Sequence, residues 1–176
     1  ILGGDENQIT AIIEAVKGTS ILEIANDNAP GQIVISGSTA AVDRAIEEAK
    51  NLGLRRALKL PVSAPFHCKL MAPAADVMRD ALDSTVIKDA RLPVICNVTA
   101  AAENDAAHLR NNLVEQVTGR VRWRQSLLTM QQAGCTLFVE LGTGKVLSGL
   151  AKRTIDGAKI VNLDGPNDLE GVLAEL

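Results

Sequence analysis

The sequence predicts an α/β fold, a small βαββαβ unit followed by alternating strands and helices, and three observations carry that prediction. The 176-residue chain is 47% hydrophobic but only 2% aromatic, so its core rests on Leu, Ile, Val and Ala, a composition usual for helix-covered sheets. Several long segments repeat apolar residues at helical spacing. Between them lie short apolar runs bounded by Gly, Pro, Asn or Asp. A chain of this length buries enough surface for one domain or two small ones.

The elements follow in order. Apolar residues recur at helical spacing over 7–16, and Gly18 supplies a stop. Residues 20–25 predict a strand, 26–31 a turn rich in Asn and Asp, and 32–36 a second strand, giving a hairpin. Ser38 or Thr39 caps a helix to about Leu52 with Ala41, Ile46 and Ala49 inward, and 54–60 predicts another strand. With Ile1-Leu2 read as the end of a preceding strand, the order is βαββαβ, a ferredoxin-like unit. After a loop over 62–67 come a helix (69–82), a short strand (92–98) and two helices (107–117 and 124–133). A strand (136–141), a Gly142-Thr143-Gly144 turn, a helix (145–153), a strand (159–163) and a final helix (167–176) close the chain. Strands alternating with helices imply a parallel sheet covered on both faces.

Composition excludes several functions. A net charge of −3 offers no general attraction to phosphate backbones or anionic lipid. Cys68, Cys96 and Cys135 are odd in number and far apart, matching neither a zinc knuckle nor a disulfide framework, and fit a reducing cytosol. No apolar run is long enough to span a bilayer, and the start has no basic or apolar leader pattern. The chain opens on Ile-Leu-Gly without methionine, as if entered at the end of a strand, and is expected to be a piece of a longer protein.

Gly142-Thr143-Gly144-Lys145 fails the Walker pattern, which needs four residues between its glycines, and fails the dinucleotide fingerprint because Leu147 stands where a third glycine belongs. It reads as a sharp strand-to-helix turn, with anion binding at the helix start as the alternative. His67 lies at the mouth of a predicted helix, where its side chain can face a cleft. A lone histidine is more often structural, yet it is a potential base near neutral pH. No Gly-x-Ser-x-Gly elbow occurs, so a nucleophile for His67 is expected outside this chain. His108, in a polar stretch, reads as solvated surface. The cationic groups Arg55, Arg56 and Lys59, and Arg120, Arg122 and Arg124 around Trp123, read as solvated charge, with a docking surface for an acidic partner or phosphate as the alternative.

Five segments occur in a specific order: Asn26-Asp27-Asn28-Ala29-Pro30-Gly31-Gln32, Pro61-Val62-Ser63-Ala64-Pro65-Phe66-His67-Cys68, Asn97-Val98-Thr99-Ala100, Val121-Arg122-Trp123, and Glu140-Leu141-Gly142-Thr143-Gly144-Lys145-Val146-Leu147-Ser148-Gly149-Leu150. Together they resemble the malonyl-CoA:acyl carrier protein transacylases and the acyltransferase domains of fatty-acid and polyketide synthases, across essentially the whole chain. The resemblance implies an inserted ferredoxin-like small subdomain over 1–60 and part of an α/β-hydrolase-like large subdomain over 61–176.

It also implies that His67 is the general base of a serine-mediated transfer of malonyl from CoA to the phosphopantetheine thiol of acyl carrier protein. Gln116 aligns with a glutamine whose main-chain carbonyl orients that histidine. Arg56 aligns with an arginine near the CoA phosphates, and Asn28 lies on a hairpin bordering the cleft. Phe66 resembles the malonyl-selective form of the histidine loop, with an expected preference over methylmalonyl of about one to two orders of magnitude. The family's elbow, its oxyanion segment and the arginine that grips the malonyl carboxylate have no counterpart here. Thr143 and Arg120 stand where proline is usual, changes expected to affect loop stiffness. No cofactor or metal is implied. The expected partners are acyl carrier protein, malonyl-CoA and the N-terminal part of the same enzyme, in the cytoplasm, without membrane or nucleic acid. The alternatives are a megasynthase acyltransferase domain and a non-catalytic module that binds acyl carrier protein.

Overall fold

The computed structural model describes residues 1–54 and 56–175. Arg55 and Leu176, which fall in the predicted strand 54–60 and the last predicted helix, lie outside the described residues.

Helix α1 (Glu6–Val16) starts at Asp5, whose carboxylate accepts from the Gln8 amide at 2.8 Å while the Gln8 side chain accepts from the Asp5 amide at 3.0 Å. That reciprocal cap satisfies two end groups that the helix cannot pair itself. Ile9, Ile12 and Ile13 share one buried face at the spacing of a helix packed on a sheet. The sheet is the hairpin β1 (Leu22–Ala29) and β2 (Gln32–Gly37), antiparallel, with register shifts after Ile24 and Asp27. Helix α2 (Thr39–Asn51) buries Ala41, Ala45 and Ala49, a small-residue face that lets it lie close to its neighbours.

Leu2 forms antiparallel bridges to Gln32 on one side and Arg56 on the other. The order is therefore Arg56, Leu2, β2, β1, all antiparallel, the arrangement of a ferredoxin-like βαββαβ unit. Among the described residues the predicted strand 54–60 is reduced to the single bridge at Arg56. Its partner offers only Leu2 before Gly3 and Gly4 turn away, and Leu58 and Leu60 are exposed. The predicted turn 26–31 shrinks as well, because β1 runs on to Ala29 and leaves only Pro30-Gly31 to reverse the chain. Gly37 closes the hairpin where no side chain fits: a Cβ there would lie 2.2 Å from the Ile21 carbonyl oxygen.

The remaining chain begins with a 3₁₀ turn (Lys69–Met71) that leads into α3 (Ala72–Asp83). Strand β3 (Val94–Cys96), shorter than predicted, pairs antiparallel with β4 (Ala101–Glu103) through a turn in which Ala100 has φ 56°. Helices α4 (Ala106–Thr118) and α5 (Trp123–Gln132) follow. Strands β5 (Leu137–Leu141) and β6 (Lys159–Leu163) pair in parallel across α6 (Val146–Lys152), and α7 (Leu169–Leu173) packs on β6. Leu127, Ala151 and Ile155 form a second buried cluster, lined by Trp123, Phe138 and Ile160.

One parallel pair replaces the continuous parallel sheet expected from the strand–helix alternation. Among the described residues β5 pairs only with β6. Parallel strands are normally buried between neighbours, yet Leu141 is 73% exposed and Val146 72%. Apolar side chains thus line an unpaired sheet edge and the helix start beside it.

Candidate active site

The loop leading to His67 is held by one contact of its own and one to β1. Cys68, fully buried, donates through Sγ to the Pro65 carbonyl at 3.2 Å, and the Lys69 amide donates to the Glu23 carboxylate of β1 at 2.9 Å. His67 itself has φ 59°, the left-handed region that side chains enter only when surrounding structure compels them. In that conformation its ring is half-buried, with Nδ1 3.0 Å from the Gln116 main-chain oxygen.

The Gln116 carbonyl is free to serve because α4 ends at Thr118. The last carbonyls of a helix have no amide one turn ahead. A carbonyl only accepts, so this pairing calls for the proton on His67 Nδ1 and leaves the Nε2 lone pair available, as a base requires. The Gln116 side chain turns back through Nε2 to the Gly119 carbonyl at 2.9 Å and braces the same turn. Gly119 is needed there, since a Cβ would lie 2.7 Å from both the Glu115 carbonyl oxygen and Val98 Cγ2.

After Gly119 the chain is held on both sides. Val121 exchanges backbone hydrogen bonds with β1 (its amide to the Ala25 oxygen at 2.8 Å, the Asp27 amide to its oxygen at 2.9 Å), and the Arg122 amide donates to the Asn97 oxygen at 2.9 Å. Asp27, 1% exposed, accepts from Arg124 Nε at 2.9 and 3.0 Å and lies 3.3 Å from Arg120 Nη2. Arg120 also grips Glu6 of α1 with both terminal nitrogens, at 2.6 and 3.0 Å. The hydrogen bond from Arg120 holds the Glu6 carboxyl below the usual carboxylate range, and the partner carboxylates push Arg120 and Arg124 higher still. Arg120 and Arg124 are therefore paired inside a cluster rather than solvated, which corrects the surface-charge expectation. A charged residue at an inward strand position was the signal, masked because 26–31 reads as a turn.

Of the five residues singled out by sequence, the structure brings His67 and Gln116 into contact. Phe66, beside His67, is 49% exposed. Asn28 is half-buried on β1. Arg56 is exposed at the opposite edge of the small sheet, three strand spacings or about 14 Å from β1. The anion-binding alternative at Gly142–Lys145 does not fit: the Glu140 carboxylate already accepts the Leu147 and Ser148 amides at 3.0 and 2.7 Å, and α6 is only seven residues long. His108 is exposed as expected, 3.0 Å from Glu103 Oε2. Among the described residues no cluster of His, Cys, Asp and Glu could hold a metal ion, and no helix is long and apolar enough to cross a membrane.

No family model matches the chain. It is similar to a crystal structure of the acyl-carrier-protein S-malonyltransferase of Bartonella henselae, with a TM-score of 0.95 and 42% identity over 99% of this chain and 56% of that one. A type II PKS acyl carrier protein in complex with its malonyl-transacylase gives a TM-score of 0.96 at 35% identity, covering all of this chain and 57% of that one. The fold is thus that of the acyltransferases. Among curated proteins, the malonyl CoA-acyl carrier protein transacylase of Bacillus subtilis is 41% identical over 171 residues, 97% of this chain and 54% of that protein. Its counterpart in Escherichia coli K12 is 37% identical over 173 residues, 98% of this chain and 56% of its own length. The chain is homologous over nearly its whole length to the malonyl-CoA:acyl carrier protein transacylases, and it spans about half the length of the curated relatives it matches.

Proposed function

We propose that this chain is the histidine-bearing part of an enzyme that transfers malonyl from CoA to the phosphopantetheine thiol of acyl carrier protein in the cytosol. The observation that carries the proposal is the 3.0 Å contact between His67 Nδ1 and the Gln116 main-chain oxygen, which leaves Nε2 as an oriented base. A serine from a segment outside these residues supplies the nucleophile. Nε2 takes its hydroxyl proton as the oxygen attacks the malonyl thioester, and the proton then passes to the departing CoA sulfur. In the second half the phosphopantetheine thiol gives its proton to Nε2 and attacks the seryl ester, and the proton returns to the serine oxygen. The scheme draws on no metal or cofactor. On the resemblance, Phe66, exposed beside His67, is assigned to narrowing the acyl site against an α-methyl branch, and Arg56 and Asn28 to CoA and to the cleft rim.

The test uses the complete enzyme. His67→Ala should lower malonyl transfer about 10²–10⁴-fold, and near-unchanged transfer would remove His67 from the mechanism. A covalent malonyl adduct on the 176-residue chain alone, seen by mass spectrometry after mixing with malonyl-CoA, would overturn the assignment of the serine to an outside segment.

A further inference from the structure

The Asp27 cluster has no task in that chemistry, yet it lies against the segment that leaves α4 directly after the turn contacting His67. Strand β1 touches both halves of the histidine arrangement. Through Glu23 it holds the Lys69 amide, two residues beyond His67. Through the Ala25 and Asp27 backbone it pairs with Val121, and through the Asp27 carboxylate it holds Arg120 and Arg124, which flank that residue. The segment 119–122 that these contacts fix is the exit of α4, whose last turn presents the Gln116 oxygen to His67. We infer that Asp27, with Arg120 and Arg124, is a positioning group that sets the Gln116 carbonyl against His67 Nδ1 and so selects the tautomer of the base. The inference rests on His67 being that base.

An ion cluster built on one fully buried carboxylate is a poor device for stability alone. Desolvating Asp27 and most of Arg120 offsets much of what their attraction returns, and apolar replacements often serve as well. What charged forks provide is direction. The Arg124 guanidinium meets Asp27 through Nε and Nη2, and Arg120 spans from Asp27 to Glu6 on α1. Three elements, α1, β1 and the α4–α5 connection, are thereby fixed in register, and a small slip among them would carry the 3.0 Å contact beyond hydrogen-bond reach.

The test reads the ring directly, by ¹⁵N NMR of His67 in the chain at about pH 8, above the ordinary histidine range. The unmodified chain should show the Nδ1–H tautomer. Asp27→Asn keeps the side-chain size and removes the charge, and should lower the ratio of Nδ1–H to Nε2–H about 2- to 10-fold, the worth of one hydrogen bond. Glu6→Gln, which removes only the outer anchor of Arg120, should shift it the same way by less. Asp43→Asn, which breaks the exposed Lys59–Asp43 pair, should leave it unchanged. A folded Asp27→Asn chain with an unchanged ratio would overturn the inference. If that variant does not fold, Glu6→Gln decides in its place, and an unchanged ratio there overturns it too. The tautomer is independent of turnover, so loss of the base assignment through an active His67→Ala enzyme is a separate result.

Discussion

Gly119→Ala is the substitution by which the site geometry is most directly challenged. The added methyl would sit 2.7 Å from the Glu115 carbonyl oxygen and 2.7 Å from Val98 Cγ2. The valine methyl can swing away, but the oxygen belongs to the last turn of α4 and already accepts the Gly119 amide at 2.7 Å. Restoring ordinary contact needs a shift of roughly 0.7 Å. The shift must open the turn that presents the neighbouring Gln116 oxygen, so the His67 contact at 3.0 Å would stretch past hydrogen-bond range. Overpacking of this kind costs about 1–3 kcal/mol. With a denaturant slope near 2 kcal/mol/M for a chain of this size, the urea midpoint should fall by about 0.5–1.5 M. In the complete enzyme transfer should fall as well, in kcat more than in KM, because the base loses its orientation while the substrate contacts remain. An unchanged midpoint together with unchanged kcat would refute the claim that close packing at Gly119 holds the carbonyl.

Two further predictions concern stability. Ala100 holds φ 56° in the turn between β3 and β4 without a glycine's freedom, so Ala100→Gly should raise stability by about 0.5–1 kcal/mol, read as a higher urea midpoint; a lower midpoint would show that the conformation is not strained. Glu6 has its folded pKa depressed below 4.5 by Arg120, so the stability it contributes is fully present above the unfolded value and lost as pH falls through the folded one. Acid titration of the chain should therefore show a loss below about pH 4.5 that is smaller in Glu6→Gln, and identical acid profiles would refute it.

Long periodic segments were legible in the sequence. Helices α1 and α4 begin one residue before their predicted starts, and β6 has its predicted ends. The misreadings share a cause. Asn26, Asp27 and Asn28 are turn formers by local preference, but β1 is paired on one side by β2 and on the other by Val121, and that tertiary pairing overrides the preference. Strand β4 is three residues, two of them alanine, and carries no pattern to find. The loop marks His67 only as a candidate, and its pairing with the Gln116 carbonyl is legible only through the resemblance. The ion cluster could not, because Arg120 and Glu6 are 114 residues apart and Arg124 and Asp27 are 97 apart.

Arg120 stands where the resemblance leads to the expectation of a proline, and the cluster gives this arginine a task. A proline would stiffen the α4 exit by fixing its own φ. Arginine has no such constraint, and here the stiffness comes from outside the segment, through Glu6, Asp27 and the Val121 bridge. The two solutions differ in what they depend on. A proline would act from within the segment, whereas the charged fork holds the exit only while α1 and β1 are folded in place. Arg120→Pro should therefore lower the ratio of Nδ1–H to Nε2–H at His67, because it leaves Glu6 without Arg120 and Asp27 with Arg124 only, and an unchanged ratio would show that a stiff exit is enough by itself. The orientation of His67 in this chain is thus tied to the integrity of a hairpin that begins some forty residues before it.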